Sequence, residues 1–313
     1  MQLEPIERYD LCVKKILLVG TITNVARTLE KELNIVRNSL LGFADVDIFL
    51  VESDSVDHTF AKLEELQQKI KNFKFASLGK LKVNIPNRID RIRYCRNYYV
   101  QYIRNNYLTS RWDYVLVADL DGMCKDLNSN AVISCFETTE WDALFANQSG
   151  GYYDITALRH QYWCPDDCMQ ELIWRKSLIP KRNFSRFNFL KNAKIVLDYD
   201  KARNLAIYKK MLVLDSAVDW IPVESAFGGL GLYRTNCFMN HDYGEQGSTS
   251  ENEHVTFHRA LRKQNFRLYI NPRFVNNHWN TYNLNRFFLI RQFRRVIWSQ
   301  IGILRLLKSN SNV

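Results

Sequence analysis

Asp119 and Asp121 close the stretch DYVLVADLDG, in which Tyr114, Val115, Leu116, Val117 and Ala118 make an apolar run. Side chains of an extended segment alternate between faces. The two carboxylates therefore point the same way, while Leu120 returns to the core and Gly122 frees the backbone to turn. Like charges held this close repel unless a cation sits between them. Two carboxylates suit a hard divalent ion, Mn2+ or Mg2+, which takes oxygen donors, keeps several waters and also binds phosphate oxygens. They make a poor closed cage, and so fit a site completed by a phosphorylated substrate such as a nucleoside diphosphate. The plainer alternative is a loop of solvated acids.

Other familiar sites are missing. No G-x-x-x-x-G-K-[ST] occurs, nor a G-x-G-x-x-G after the first strand, which excludes a P-loop and argues against a dinucleotide fold. His254 and His258 stand four apart in HVTFH, but a zinc protease needs Glu after the first histidine and the chain has Val255. Gly228, Gly229 and Gly231 cluster in AFGGLGLYR, after an apolar strand, where they allow close backbone approach or serve a tight turn. Ser250 and Glu253 match the S-x-x-E capping box at a helix start, a structural role that competes with acid/base work by Glu253. His278 follows the apolar YINP segment.

These residues need a frame. KKILLVG (14–20), DVDIFLVESDS (45–55), the run before Asp119 and WDALFAN (141–147) read as strands. Helical patterns follow the first, run from about Phe60 to Lys71 and cover 88–107, where Ile92, Cys95, Tyr99, Tyr102 and Ile103 share one face. Strands alternating with helices imply a mostly parallel central sheet covered on both faces. Ligands of such sheets bind outside the carboxyl ends of strands, where both VESDS and VADLDG place their acids. The stretch 148–210 reads as irregular, and a further helix and strand are expected near Ser250 and Arg267.

With 313 residues, 46% hydrophobic and 13% aromatic, the chain is expected to bury one sizeable core. The polar start MQLEPIERYD reads as no signal peptide, and seven cysteines without zinc spacing read as reduced thiols in a cytosolic setting. The net charge of +10 is local: no Asp or Glu follows Glu253, whereas eleven Lys or Arg do. Residues 285–313 combine Arg286, Arg291, Arg294, Arg295, Arg305 and Lys308 with bulky apolar residues and Trp298. That pattern suits an anionic membrane surface or a helix docked on the domain. Nucleic acid is not expected as a partner, because no recognised nucleic-acid motif accompanies the charge.

In chain order, D-L-D at 119–121, FGGLG, the helix start Asn252-Glu253-His254 and the histidine of NNHW resemble the GT-A class of nucleotide-sugar-dependent glycosyltransferases over residues 14–280. YYDITALR and EHVTFH further resemble bacterial, viral and fungal relatives, including capsule-associated mannosyltransferases. Where the family carries x-E-D, this chain has His254 in place of Asp.

The resemblance implies a three-layer α/β sandwich over 1–284 followed by the basic segment 285–313. It implies that Asp121 binds the metal, that Asp119 contacts ribose or metal, and that His278 is a third contact to metal or diphosphate. Gly20, Thr21, Glu52 and Asp54 would surround the nucleoside. Arg93, Arg96 and Asn97 would reach base or phosphate, and Gly228 and Gly229 would lie against the donor. Glu253 would take the acceptor proton, with His254 sharing the acid/base position, while Asp154, Arg159, Asp166 and Asp167 would line an acceptor pocket for a glycan or glycolipid. The expected activity is transfer of a sugar, a hexose, from a nucleoside diphosphate, by an enzyme peripheral to a cytosolic membrane face.

Two rivals stand beside it. A nucleotidyltransferase also uses carboxylate-bound Mg2+, but its Gly- and Lys/Arg-rich segment is missing from GTITNVART. The other is a non-catalytic membrane-binding protein on a degenerate transferase fold.

Overall fold

The expected strands form where apolar runs occur: β1 (Lys15–Ile22), β2 (Asp45–Glu52), β4 (Tyr114–Ala118) and β5 (Ala143–Gln148). The computed structural model describes residues 11–180, 189–245, 247, 251–287 and 289–291. It adds β3 (Phe73–Ser77), β6 (Ile221–Pro222), β7 (Leu230–Arg234) and β8 (Leu268–Asn277). Seven α-helices lie among the described residues: α1 (Leu29–Ser39), α2 (Thr59–Lys69), α3 (Arg88–Ser110), α4 (Ser129–Ile133), α5 (Cys168–Ser177), α6 (Phe189–Ala206) and α7 (Glu253–Lys263).

All eight strands join one sheet in the order β3-β2-β1-β4-β7-β5-β8-β6. β3, β2, β1 and β4 are mutually parallel, β7 runs antiparallel between β4 and β5, β8 is parallel to β5, and β6 is antiparallel to β8. Six strands thus share one direction, the mostly parallel α/β sheet that alternating strands and helices predict.

Each central strand is apolar on both sides because both sides are covered. Ile16 and Leu18 of β1 pack with Leu29, Leu33 and Leu63 from α1 and α2. Leu17 and Val19 of the same strand pack with Cys95, Tyr99 and Val100 from α3. The result is three layers, with the carboxyl ends of β1, β2 and β4 opening at one edge.

Several expectations change. β3 was not expected: in FKFAS a lysine interrupts the apolar pattern, as an edge strand with one partner, β2, tolerates. The stretch read as irregular contains α5 and α6, and α5 is capped by Asp167, whose Oδ1 accepts the Met169 N–H at 2.7 Å. Gly228 and Gly229 come after the two-residue strand β6 and form the turn that enters β7. Helix α7 is capped by Asn252, accepting from His254 N–H at 2.9 Å, whereas Ser250 lies outside the described residues. Most of 285–313 also lies outside them. Its described start is docked: Arg291 is buried, pairs with Asp200 of α6 at 3.1 and 3.0 Å and stacks over Tyr208.

Candidate active site

At the carboxyl edge of the sheet lies a cavity of about 730 Å3, lined by residues of β1, α3, the D-L-D turn, the 153–156 segment, α6 and the start of α7. Thr21, Asp54, Arg96, Asp119, Asp121, Asp154, Glu253 and His254, named from sequence, all line it. They come from six separate stretches of chain, and the sheet edge alone brings them together.

Asp119 is fixed first by its backbone. β4 and β7 stay paired to Ala118 and Leu230, and one step further the Asp119 N–H donates to the Gly229 carbonyl at 2.9 Å. The turn must be glycine: Gly228 and Gly229 have φ of +67° and +78°, and a Cβ on Gly228 would meet the Ala146 carbonyl at 2.5 Å. Gln148 and Asn276 donate to the Gly228 carbonyl at 2.8 and 2.9 Å, and its N–H donates to Asp154 Oδ2 at 3.3 Å. The same turn thus places Asp119 and Asp154. Behind D-L-D, the buried Glu32 of α1 accepts the Cys124 N–H at 2.9 Å and sets the exit of the loop.

Arg96 links the acids. Its Nη2 is 3.5 Å from Asp119 Oδ1 and its Nε donates to Glu253 Oε1 at 3.1 Å. Phe227 and Tyr243 flank the guanidinium, and the Tyr99 hydroxyl accepts from Nη1 at 3.2 Å. Burial pushes Asp119 up, Arg96 opposes that shift, and Asp121, Asp154 and Glu253 add to it. Burial likewise raises Asp121 and Asp154. Three carboxyls therefore resist carrying charge together until a cation arrives.

His254 has a different character. Its ring stacks on Phe227 at 3.8 Å and 21°, and it is 2% exposed. Neither ring nitrogen has a hydrogen-bond partner among the described residues. Burial, Arg96 and the neighbouring His258 hold it neutral, so one buried donor and one buried acceptor are left unsatisfied beside the cavity. His258, by contrast, is a core residue clamped by Ser225 and Tyr233, both at 2.9 Å.

Other expected residues support the site from outside the cavity. Gly20 lets β1 and β4 approach, since a Cβ there would meet the Ala118 carbonyl at 2.6 Å. Glu52 accepts from Ser55 N–H and the Ser77 hydroxyl. Arg93 pairs with Asp90 and donates to the Glu251 carbonyl at 2.7 Å, and Asn97 ties the Tyr243–Gly244 backbone. Arg159, Asp166 and Asp167 line a second cavity of about 660 Å3 beyond Glu251. His278 stands exposed outside both cavities, its Nδ1 at 2.6 Å from Ser149 Oγ and its N–H donated to Asp126.

Sequence reasoning missed Arg88, Arg91, Tyr153, Arg203 and Tyr282, all on the cavity wall. Arg88, Arg91, Ile92, Cys95 and Arg96 follow one stripe of α3 at helical spacing, and that spacing was the available signal. Arg91 pairs with Asp54 at 3.3 Å, and Arg88 attracts Asp121. Tyr153 and Tyr282 stack at 5.3 Å, a contact between distant segments with no sequence signature.

Among the described residues no group of three or more His, Cys, Asp or Glu side chains is gathered around a point that would hold a metal ion. The donor set nevertheless fits a hard divalent cation on an open platform, with two carboxylates raised by burial and Asp121 exposed to the cavity mouth.

No protein-family model matches the chain, and no curated protein matches it in sequence. Among solved structures, residues 1–349 of S. aureus TarS are similar at a TM-score of 0.42 and 14% identity, over 82% of this chain and 57% of that one. The mannosyltransferase PcManGT from Pyrobaculum calidifontis, in complex with GDP-Man and Mn2+, is similar at a TM-score of 0.42 and 9% identity, over 82% and 56%. The chain thus spans a little over half the length of either structure, and the similarity is one of general arrangement.

Proposed function

We propose that this chain is a GT-A-type, metal-dependent glycosyltransferase that moves a hexose from a nucleoside diphosphate to a glycan or glycolipid. One observation carries the reading: Asp119 and Asp121 share a single cavity with the Arg88–Arg91 stripe and Glu253, at the carboxyl edge of a mostly parallel sheet.

Thr21 and Asp54, at the ends of β1 and β2, border the nucleoside. Arg88 and Arg91, in the Asn87-capped first turn of α3, receive the diphosphate charge. A divalent ion on Asp119 and Asp121 would supply Lewis-acid stabilisation of the departing diphosphate. Arg96 holds Asp119 and Glu253 through one oxygen each and so orients both carboxylates. The neutral His254 hydrogen-bonds a hydroxyl of the donor or acceptor. In an inverting course, Glu253 takes the acceptor proton as the sugar becomes oxocarbenium-like.

The test is thermal shift with UDP, GDP, CMP and their sugars, in Mn2+, Mg2+ or EDTA. A metal-dependent rise with one nucleotide, lost in Asp121→Asn, supports the reading and selects the donor. No rise with any nucleotide in a folded sample overturns it.

A further inference from the structure

Three arginines of the main cavity have acids to answer. Arg91 pairs with Asp54, Arg96 with Asp119 and Glu253, and Arg88 attracts Asp121. Arg203 of α6 lines the same cavity, yet among the described residues it makes no ion pair or hydrogen bond. Asp200, one helical turn before it, stands where a helix finds such a partner. The fold commits Asp200 to Arg291 instead, at 3.0 Å. Arg203 therefore keeps a free guanidinium on the cavity wall.

The wall around it is continuous. The Ile207 N–H donates to the Arg203 carbonyl at 2.9 Å, and Tyr208 follows beneath the Arg291 guanidinium. Arg291 also donates to the Asn285 carbonyl at 2.8 Å, and the Asn285 N–H donates to the Tyr282 carbonyl at 3.0 Å. Arg203, Ile207, Tyr208, Asn285 and Tyr282 thus make one side of the cavity. At its end Tyr153 stacks on one face of the Tyr282 ring, at 5.3 Å and 19°. Tyr282 is still 50% exposed, so its other face is open. Burial, then Asp121, Asp119 and Asp154, push its hydroxyl up, which sets the ring beside the carboxylates.

An open aromatic face among hydrogen-bonding groups suits a sugar. The C–H hydrogens of the sugar carry positive charge and meet the negative face of the ring, while its hydroxyls turn to the polar groups. A free guanidinium suits a phosphate or a carboxylate.

We propose that this wall takes a sugar carrying an anionic group, its ring on Tyr282 and its phosphate or carboxylate on Arg203, and that this sugar is the acceptor. The acceptor role rests on the transferase reading, which gives Thr21, Asp54, Arg88 and Arg91 to the donor and leaves this side to the second substrate. Recognition of an anionic sugar does not rest on it.

The experiment is saturation-transfer NMR of the full chain, titrated with glucose, mannose and galactose, their 6-phosphates and their uronates. One anionic series should bind at least about tenfold tighter than the parent sugars, and the tighter series tells phosphate from carboxylate. Arg203→Gln should bring it down to the level of the parent sugars. Tyr282→Ala should weaken all of them, and Tyr282→Phe should restore binding. Both side chains are exposed, so the variants should unfold in urea like the wild type. Equal binding of charged and neutral sugars overturns the inference, as does unchanged binding in Arg203→Gln. Inorganic phosphate competing as well as the sugar phosphates also overturns it, since the ring would then contribute nothing. Binding that persists under saturating nucleoside diphosphate supports the acceptor role, whereas displacement by the nucleotide or its sugar gives the wall to the donor and overturns that role. Anionic-sugar binding without any nucleotide thermal shift upholds the recognition and overturns the transferase reading. A nucleotide shift without sugar binding overturns this inference alone.

Discussion

The Arg96 guanidinium donates to Glu253 at 3.1 Å from within a site where both side chains are under a tenth exposed. The pair joins α3 to the first residue of α7, and through its second contact, with Asp119, it reaches the end of β4. Removing Arg96 leaves Glu253 and Asp119 without their cation. Arg96→Met is expected to destabilise the fold by about 3–5 kcal/mol. Urea unfolding of Arg96→Met beside Arg96→Lys checks this, and a loss below about 1 kcal/mol would show that water solvates the acids.

The Asp121 side chain stands at the open mouth of the cavity and, among the described residues, makes no hydrogen bond to another residue, while partial desolvation by the cavity walls disfavours its charge. Asp121→Asn should unfold at the wild-type temperature or above. Transfer, or donor hydrolysis, should fall by at least about a hundredfold, as expected on losing electrostatic stabilisation of a developing charge. Full activity in the variant would remove Asp121 from the mechanism.

The acid end of the pH range has a defined sign. Asp119 is raised from 3.8 to about 7, burial outweighing Arg96. The folded state then binds a proton that the unfolded chain releases, so the stability Asp119 contributes is complete below about pH 4 and is lost as pH rises towards 7. Asp119→Asn does not titrate and should gain on the wild type across that window. His258, held down to about 3 by burial and Arg96, acts oppositely: stability is full above 6.5 and falls away towards pH 3. It does so in both proteins and drops out of the difference. A wild-type-minus-variant stability curve that stays flat from pH 4 to 7 would contradict the assignment.

His254 makes its contact with Phe227 through the ring face and none through its nitrogens among the described residues. His254→Phe keeps the stack and removes two unsatisfied polar atoms. Stability should hold or rise, while catalytic efficiency should fall by tenfold or more if a substrate hydroxyl fills those positions. Equal efficiency would make His254 a packing residue.

Gly228 is the narrowest backbone point of the site. Gly228→Ala places a Cβ at 2.5 Å from the Ala146 carbonyl in a left-handed conformation. A loss of at least about 1–3 kcal/mol is expected, together with weaker nucleotide binding, because Asp154 and Asp119 both hang on this turn. Chemical denaturation and calorimetric titration check the two effects.

The sheet was legible because its central strands are buried on both sides and so lack polar interruptions. Residues named from sequence that reach the cavity wall, such as Asp119, Asp121 and Glu253, sit where periodicity changes at the end of a strand or the start of a helix. Arg93 and Asn97 could not be separated from Arg96 in the sequence because α3 is lined with polar residues all round: Arg93 and Arg96 are both buried, yet of these three only Arg96 reaches the cavity. Sequence spacing gives the face of a helix but not which face meets the ligand. His278 lies outside the cavity for a related reason. Its position after β8 is as expected, but Ser149 and Asp126 hold the residue on the outer side.

β7 has a consequence for the order in which the molecule can be made. It is inserted antiparallel between β4 and β5, so a strand late in the chain completes a sheet begun early. A nascent chain that has emerged just past β4 already carries both aspartates, but the Gly229 carbonyl that holds Asp119 does not yet exist. Pairing across such sequence separations is intrinsically slow. Maturation of the protein is therefore all-or-none at its active edge: until β7 slots into place, the ribosome has released acids and arginines but no pocket.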